Sequence, residues 1–225
     1  MALTLTIAGQ EVLVSKGRIT LPLTGLWHAD LWADQQTVPK GDVVATLSGV
    51  DMPAHIQRAE IVQGLLWLRL VGGRGGMART ATPRHYKQPL VRHVLADLLQ
   101  DAGEALSTTC TTNVMSTTLA YWTSIAVPPA TVGSLVQALA EIVGDDVNWR
   151  VLFDGTVWLG RETWPMCPAD VRIMEQDAAN ASQYIGTDAE GVWPGTSIAG
   201  RRIDSVVHEI GPQARSRVFW AEAVS

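Results

Sequence analysis

Three groups of residues have types and spacing that could carry chemistry. The first is the run Val71-Gly72-Gly73-Arg74-Gly75-Gly76-Met77, in which Gly73 through Ala78 satisfies the dinucleotide fingerprint G-x-G-x-x-G/A after an apolar stretch. That motif works by opening a helix whose first amides hold a pyrophosphate. Here Pro83 follows Ala78 closely and helical spacing begins only near Pro89, so a tight structural crossing is expected instead. The second group comprises carboxylates and a nucleophile with its base: Asp145 beside Asp146, and Ser205 near His208 and Glu209. Adjacent carboxylates after a helix read as a solvated turn, and strand positions three apart point to opposite faces, so neither set assembles a catalytic pair. The third group is the potential metal ligands. His28, His55, His85, His93 and His208 are scattered, and Cys110 and Cys167 lack Cys-x-x-Cys spacing, so they read as two buried thiols. The expectation is therefore no catalytic, cofactor-binding or metal-binding residue, no cofactor, and no enzymatic activity.

Charge distribution says more. Residues 61–96 carry Arg69, Arg74, Arg79, Arg84, Lys87 and Arg92 with no acid, whereas residues 141–190 carry ten acids against three arginines. Complementary stretches of this kind suit a head-to-tail contact between identical subunits. The six basic residues are accordingly the candidate protomer or partner interface; uneven solvated charge and anionic-ligand binding are the alternatives. A net charge of −5 argues against a dedicated nucleic-acid binder. Charged residues make up only 17% of the 225, against a usual quarter, which points to surface covered by a partner. No apolar run approaches the roughly 18 residues of a membrane span, and the N-terminus Met1 to Ile7 alternates without a basic leader, so a soluble, unexported chain is expected.

The elements that must position these residues are mostly strands. Residues 3–71 show short-period alternation at Leu3 to Ile7, Glu11 to Ser15, Arg18 to Leu21, Val43 to Leu47, Ile56 to Val62 and Leu65 to Val71. Turn chemistry separates them at Gly9-Gln10, Lys16-Gly17, Pro39 to Asp42 and Gly49 to Pro53, as in a small antiparallel barrel or sandwich. A helix is expected from Pro89, with Val91, Val94, Leu95, Leu98, Leu99 and Ala102 on its packed face and Gly103 as its stop. A second runs from Val132 to Val143 between Thr131 and Gly144, with Leu135, Leu139 and Ile142 apolar. Residues 107–118 read equally as a strand pair or a loop. Beyond residue 148 strands return at Trp149 to Phe153 and Thr156 to Leu159 around a two-residue Asp154-Gly155 turn, then at Val171 to Met174, Ile203 to Ile210 and Arg217 to Glu222. Residues 175–200, including Asn180 to Ser182 and Gly191 to Gly195, read as loops that order on assembly. The fold class is thus mainly β with α, two small antiparallel barrel-like domains joined by a helical segment. The divisions fall at 1–85, 86–147 and 148–225, with parts of 107–126 free to join the last.

Nine tryptophans against two phenylalanines admit two uses, core packing or a sugar-binding platform. Core packing is the cheaper explanation where a ring alternates with other apolar residues, as Trp149 does with Val151 and Phe153.

The order of features resembles one family: a barrel, then Val71 to Gly76, Tyr86 leading into the helix that ends Asp101-Ala102-Gly103-Glu104, then Trp149 through Trp164 with Asp154-Gly155-Thr156-Val157-Trp158-Leu159-Gly160-Arg161-Glu162-Thr163-Trp164-Pro165. It is similar to the baseplate hub proteins of contractile-tailed bacteriophages and related injection machines, especially short hubs of Mu-like or late-control type. The resemblance spans nearly the whole chain, which is shorter than the fuller members. It implies two barrel domains per subunit and a homotrimer whose six barrels imitate the sixfold tail tube. It further implies the tail tube protein and the central spike as partners, baseplate wedge proteins as further ones, and a place in the virion baseplate after assembly in the host cytoplasm. The alternative function is a carbohydrate-binding or cell-wall-acting tail module.

Overall fold

The computed structural model describes residues 3–7, 9–47, 49–125, 129–167, 171–177, 182–185, 192–212 and 214–221. Six strands come first: β1 (Leu3–Ile7), β2 (Gln10–Pro22), β3 (His28–Ala33), β4 (Asp42–Leu47), β5 (Val50–Val62) and β6 (Leu65–Gly72). They pair antiparallel in the order β1-β4-β5-β6-β3-β2, and β2 returns to β1, so the sheet closes into a barrel. Alternation builds it: Leu3, Leu5, Ile7, Leu31, Leu66, Leu68 and Leu70 point inward, and small Ala29, Ala33, Ala45 and Ala54 leave them room.

Two expectations about this part need correction. Lys16-Gly17 is not a turn, because β2 runs through it as one strand. The irregularity there is a register shift against β3 between Val14 and Lys16, and a Cβ on Gly17 would lie 2.6 Å from the Leu31 side chain. Glycine at this site permits close strand approach rather than reversal. Likewise β5 begins at Val50, so Asp51 to Pro53 belong to a strand paired with β4. The sequence pattern missed β3, whose inward residues are two alanines and one leucine.

A helical layer follows a 3-10 turn at Gly76–Ala78. It comprises β7 (His85–Lys87), α1 (Val91–Ala102), β8 (Ala105–Leu106), α2 (Thr112–Met115), β9 (Tyr121–Thr123) and α3 (Val132–Val143). α1 buries the six apolar residues its spacing predicts and ends at Gly103 in the left-handed conformation, but Pro89 lies ahead of the helix and Leu90 caps it. Thr131 caps α3 by accepting the Ser134 amide hydrogen at 3.2 Å. Leu135 and Leu139 are buried, whereas Ile142, expected inside, is 61% exposed in the last turn. Residues 107–118 hold α2 and irregular chain rather than a strand pair.

β10 (Val147–Val151) and β11 (Thr156–Arg161) form the predicted hairpin, with β8 added parallel to β11. Its loop is longer than two residues. Val151 pairs with Val157 and the Leu152 amide donates to Thr156 O, leaving Phe153, Asp154 and left-handed Gly155 in the bend.

The remaining strands are β12 (Ile173–Asp177), β13 (Ser182–Ile185), β14 (Ser197–Ile198), β15 (Arg201–Ile210) and β16 (Arg215–Trp220). β15 pairs along the second half of β2, from Ser205 opposite Pro22 to Ile210 opposite Gly17. The barrel wall therefore continues as β2-β15-β16-β13-β12, and one hydrophobic core reaches from Leu3 to Trp220. Residues 175–200, expected as loops, instead carry the end of β12 and all of β13 and β14, paired into strands; residues 178–181 and 186–191 of that stretch lie outside the described residues, as does residue 222.

Candidate functional site

The glycine-rich run leaves β6 and folds back beneath α1. Gly73 and Gly75 have φ of +77° and +73°, which turns neighbouring amides to one side. There the Arg74 amide donates to both Glu104 carboxylate oxygens, at 3.0 and 3.1 Å, and the Gly76 amide donates to one of them at 2.8 Å. Glu104 is 8% exposed. Converging amides form an anion nest of the kind that cradles phosphate, and the anion here is the chain's own carboxylate, one residue beyond the glycine that stops α1. Packing is so close that a Cβ on Gly76 would lie 1.9 Å from the Ala102 carbonyl oxygen. The loop joins barrel to helical layer.

The six basic residues are distributed over several elements. Arg69 stands on the outer face of β6 and pairs with Asp30 at 3.1 Å. Arg84 is held by both oxygens of Asp101, whose pKa this guanidinium lowers to about 2. Beside that pair the Tyr86 hydroxyl donates to Asp97 at 2.6 Å, and burial with the acceptor raises its pKa strongly. Arg74, Arg79, Lys87 and Arg92 are exposed on the glycine loop, the segment after it, β7 and α1.

The hydrolytic candidates do not assemble. Asp146 pairs with Arg161 at 2.7 Å, and Asp145 is exposed. Ser205 and His208 lie on opposite faces of β15; His208 turns inward to Ser216 on β16, Nδ1 to Oγ 2.7 Å, with both residues essentially inaccessible. Among the described residues no cluster of His, Cys, Asp and Glu could hold a metal. Cys110 is half-buried and Cys167 buried, and the two are not joined in a disulfide. A cavity of about 460 Å³ lies between the end of β2, the β10–β11 hairpin and Trp193. Within it Arg150 is paired with Glu162 and lies 4.5 Å from the Trp158 ring, so its charged groups are already satisfied by one another.

Sequence reasoning missed the outer face of the continuous sheet. Residues in register on five neighbouring strands alternate in sign: Arg69 on β6 opposite Asp30 on β3, then Arg18 on β2, Glu209 on β15 and Arg215 on β16. Arg18 approaches Glu209 at 4.0 Å, and Arg215 bonds the same carboxylate at 2.5 Å. One row away Trp32 and Trp67 face each other across β3 and β6, with the Lys16 ammonium 5.1 Å from one ring and the Arg58 guanidinium 5.5 Å from the other. A shallow groove of about 550 Å³ runs between the ladder and this pair. The opposite face is core, with Ile19 and His208 paired within it and Trp193 packed edge-on against His208.

The same sheet has two open edges among the described residues. β12 pairs only with β13, and β5 beyond Ile56 pairs only with β6. Both carry exposed apolar residues, Ile173 and Met174 on one and Ile61 and Val62 on the other. Unpaired strand edges of this kind invite another strand.

No protein-family profile matches the chain, and no curated protein matches it by sequence. Solved structures do match its fold. The 43 kDa tail protein of prophage MuSo2 from Shewanella oneidensis superposes with a TM-score of 0.73 at 11% identity, covering 98% of this chain and 97% of that one. The tail protein from Neisseria meningitidis MC58 gives 0.67 at 13% identity over 98% and 96%. An E. coli component of the type VI secretion system, described as structurally similar to the T4 bacteriophage tail proteins gp27 and gp5, gives 0.71 at 11% identity over 98% and 77%.

Proposed function

We propose that this chain is a structural baseplate hub subunit of a contractile phage tail, a homotrimer that adapts the sixfold tail tube to the threefold central spike. The observation that carries the reading is the near end-to-end fold match with two phage tail proteins at TM-scores of 0.73 and 0.67. The sheet supports it physically. From the β5 edge to the β12 edge it runs continuously through β6, β3, β2, β15, β16 and β13. A strand edge at each end suits heterologous pairing, the geometry that closes into a ring when the rotation permits. In this role the chain needs no catalytic centre; its work is mechanical, and its partners are its own copies, the tube and the spike, with wedge proteins at the periphery.

A sugar-binding module is the less favoured reading. Trp27, Trp122, Trp149, Trp158 and Trp220 are buried, and Trp32, Trp67, Trp164 and Trp193 are half-buried, so no ring stands free as a platform. The test is native mass measurement of the purified chain, alone and mixed with the spike protein of the same tail. A trimer, or a 3:3 complex once spike is added, is expected. A persistent monomer that ignores the spike would overturn the assignment.

A further inference from the structure

Two charge clusters in the helical layer are set against the helices that carry them. Lys87 and Arg92 stand at the start of α1, whose first turn holds no acid, so both oppose the positive end of its dipole. Glu141 and Asp145 stand at the end of α3, whose last turn holds no base, so both oppose the negative end of that one. All four are exposed, and none has an ion-pair partner among the described residues. Such choices cost the isolated chain stability unless a contact supplies the opposite charge. We infer that the clusters are the two sides of a head-to-tail contact between copies of this chain, the start of α1 on one protomer meeting the end of α3 on the next. The inference rests on the hub reading for the number of copies that close the ring.

Within the chain the obvious counter-charges are engaged elsewhere. Asp97 accepts the Tyr86 hydroxyl at 2.6 Å, Asp101 holds Arg84, and Glu104 fills the glycine nest. On the other side Glu141 accepts from the uncharged Gln137 side chain at 2.8 Å, and Arg161 is taken by Asp146. Each cluster also holds an exposed apolar side chain. Tyr121 is 67% exposed and stands opposite Lys87 in the β7–β9 pair, and Ile142, 61% exposed, lies between the two acids. A ring with a basic rim on one side and an isoleucine with an acidic rim on the other have the make-up of a small interface, apolar at the centre and charged around it. A partner of one sign would satisfy one cluster and leave the other as it is, whereas a second copy satisfies both. Unlike patches on one chain make the contact heterologous, the kind that closes into a ring.

Native mass and light scattering of the full chain, alone and with spike, at about 50 and about 500 mM salt test the contact. Wild type is expected to assemble more weakly at the higher salt. Lys87→Glu with Arg92→Glu, and separately Glu141→Lys with Asp145→Lys, should each raise the concentration at half-assembly about a hundredfold at the lower salt. The chain carrying all four reversals should return to within about threefold of wild type, because the facing signs again match. Each reversal suits its own helix dipole, so the urea midpoint of the monomer should stay level or rise, which separates lost assembly from lost fold. Should a reversal lower that midpoint, Lys87→Gln with Arg92→Gln carries the test with about a tenfold effect. Arg74→Gln with Arg79→Gln makes the same charge change at the other end of α1, beside Glu104 and Gly103, and should leave assembly unchanged. No loss in either reversal, loss in one of them alone, or no recovery in the combination would overturn the contact. A wild-type chain that stays monomeric with and without spike overturns the hub and this contact together, whereas a wild-type trimer indifferent to the reversals overturns the contact alone.

Discussion

Glu104 is where a short sequence feature acquires a physical task. Its carboxylate accepts the Arg74 and Gly76 amides at the junction of barrel and helical layer. Removing it orphans buried donors, at about 1 to 3 kcal/mol each. Glu104→Ala should therefore cost about 3 kcal/mol in urea unfolding followed by tryptophan fluorescence, and Glu104→Gln, which keeps one acceptor, about half of that. Equal losses for the two variants would show that the carboxylate oxygens are not what holds the loop. His208 makes a pH-dependent contribution. Burial lowers its pKa from 6.5 to about 4, so in the native sheet it is neutral across a range where the unfolded chain takes up a proton. The unfolded state thus binds more protons between these values, and stability falls as pH drops from about 6.5 toward 4, by on the order of 3 kcal/mol in all. Asp101 acts in the same sense in a lower window: its stabilisation is full above the ordinary carboxylate value and fades as pH falls from there to about 2. His208→Gln should remove the larger part of the slope in the upper window even if it lowers stability throughout, the rest belonging to His28, whose pKa burial and then Arg69 also lower; an unchanged slope would assign the protonation to another group.

Among the elements, the two open edges define the joint that a ring would use. Ile61 is 39% exposed and Met174 67%, each on a strand whose outer side is unpaired among the described residues. A lysine on an edge is a common device against strand addition. Ile61→Lys with Met174→Lys should change the unfolding free energy of the isolated chain by about 0.5 kcal/mol or less, since neither side chain is in the core. In light scattering the same variant should shift the proposed trimer toward monomer. A trimer that survives both substitutions at wild-type concentration dependence would place the joint elsewhere. The element scale also shows what local pattern misjudges. Gly17 reads as a turn because glycine beside a polar residue usually is one, yet the strand passes through it because Leu31 on the neighbouring strand occupies the space a side chain would need. Ile142 reads as core because helical spacing assigns it to the packed face, but no element of the described structure covers the final turn of α3 there.

For the molecule as a whole, local chemistry in the chain was enough to establish the element types and much of the core. Alternation along Leu66, Leu68 and Leu70, helical spacing from Val91 to Ala102, and caps at Thr131 and Gly103 are properties of neighbouring residues, and neighbours are what a sequence displays. The exclusion of a helix-opening phosphate loop at Gly73 was legible for the same reason. Register was not. Gly17 meets Ile210, and Arg18 stands between Asp30 and Glu209, through pairings that join distant parts of the chain. The ladder, the union of barrel wall with C-terminal sheet, and the carboxylate that fills the glycine nest all arise from such contacts. The chain alone determined which faces would be apolar and where it could turn. Tertiary packing decided which charges became neighbours, because strand pairing is selected by the burial of a shared core, and polar residues on the other face take whatever positions that register imposes.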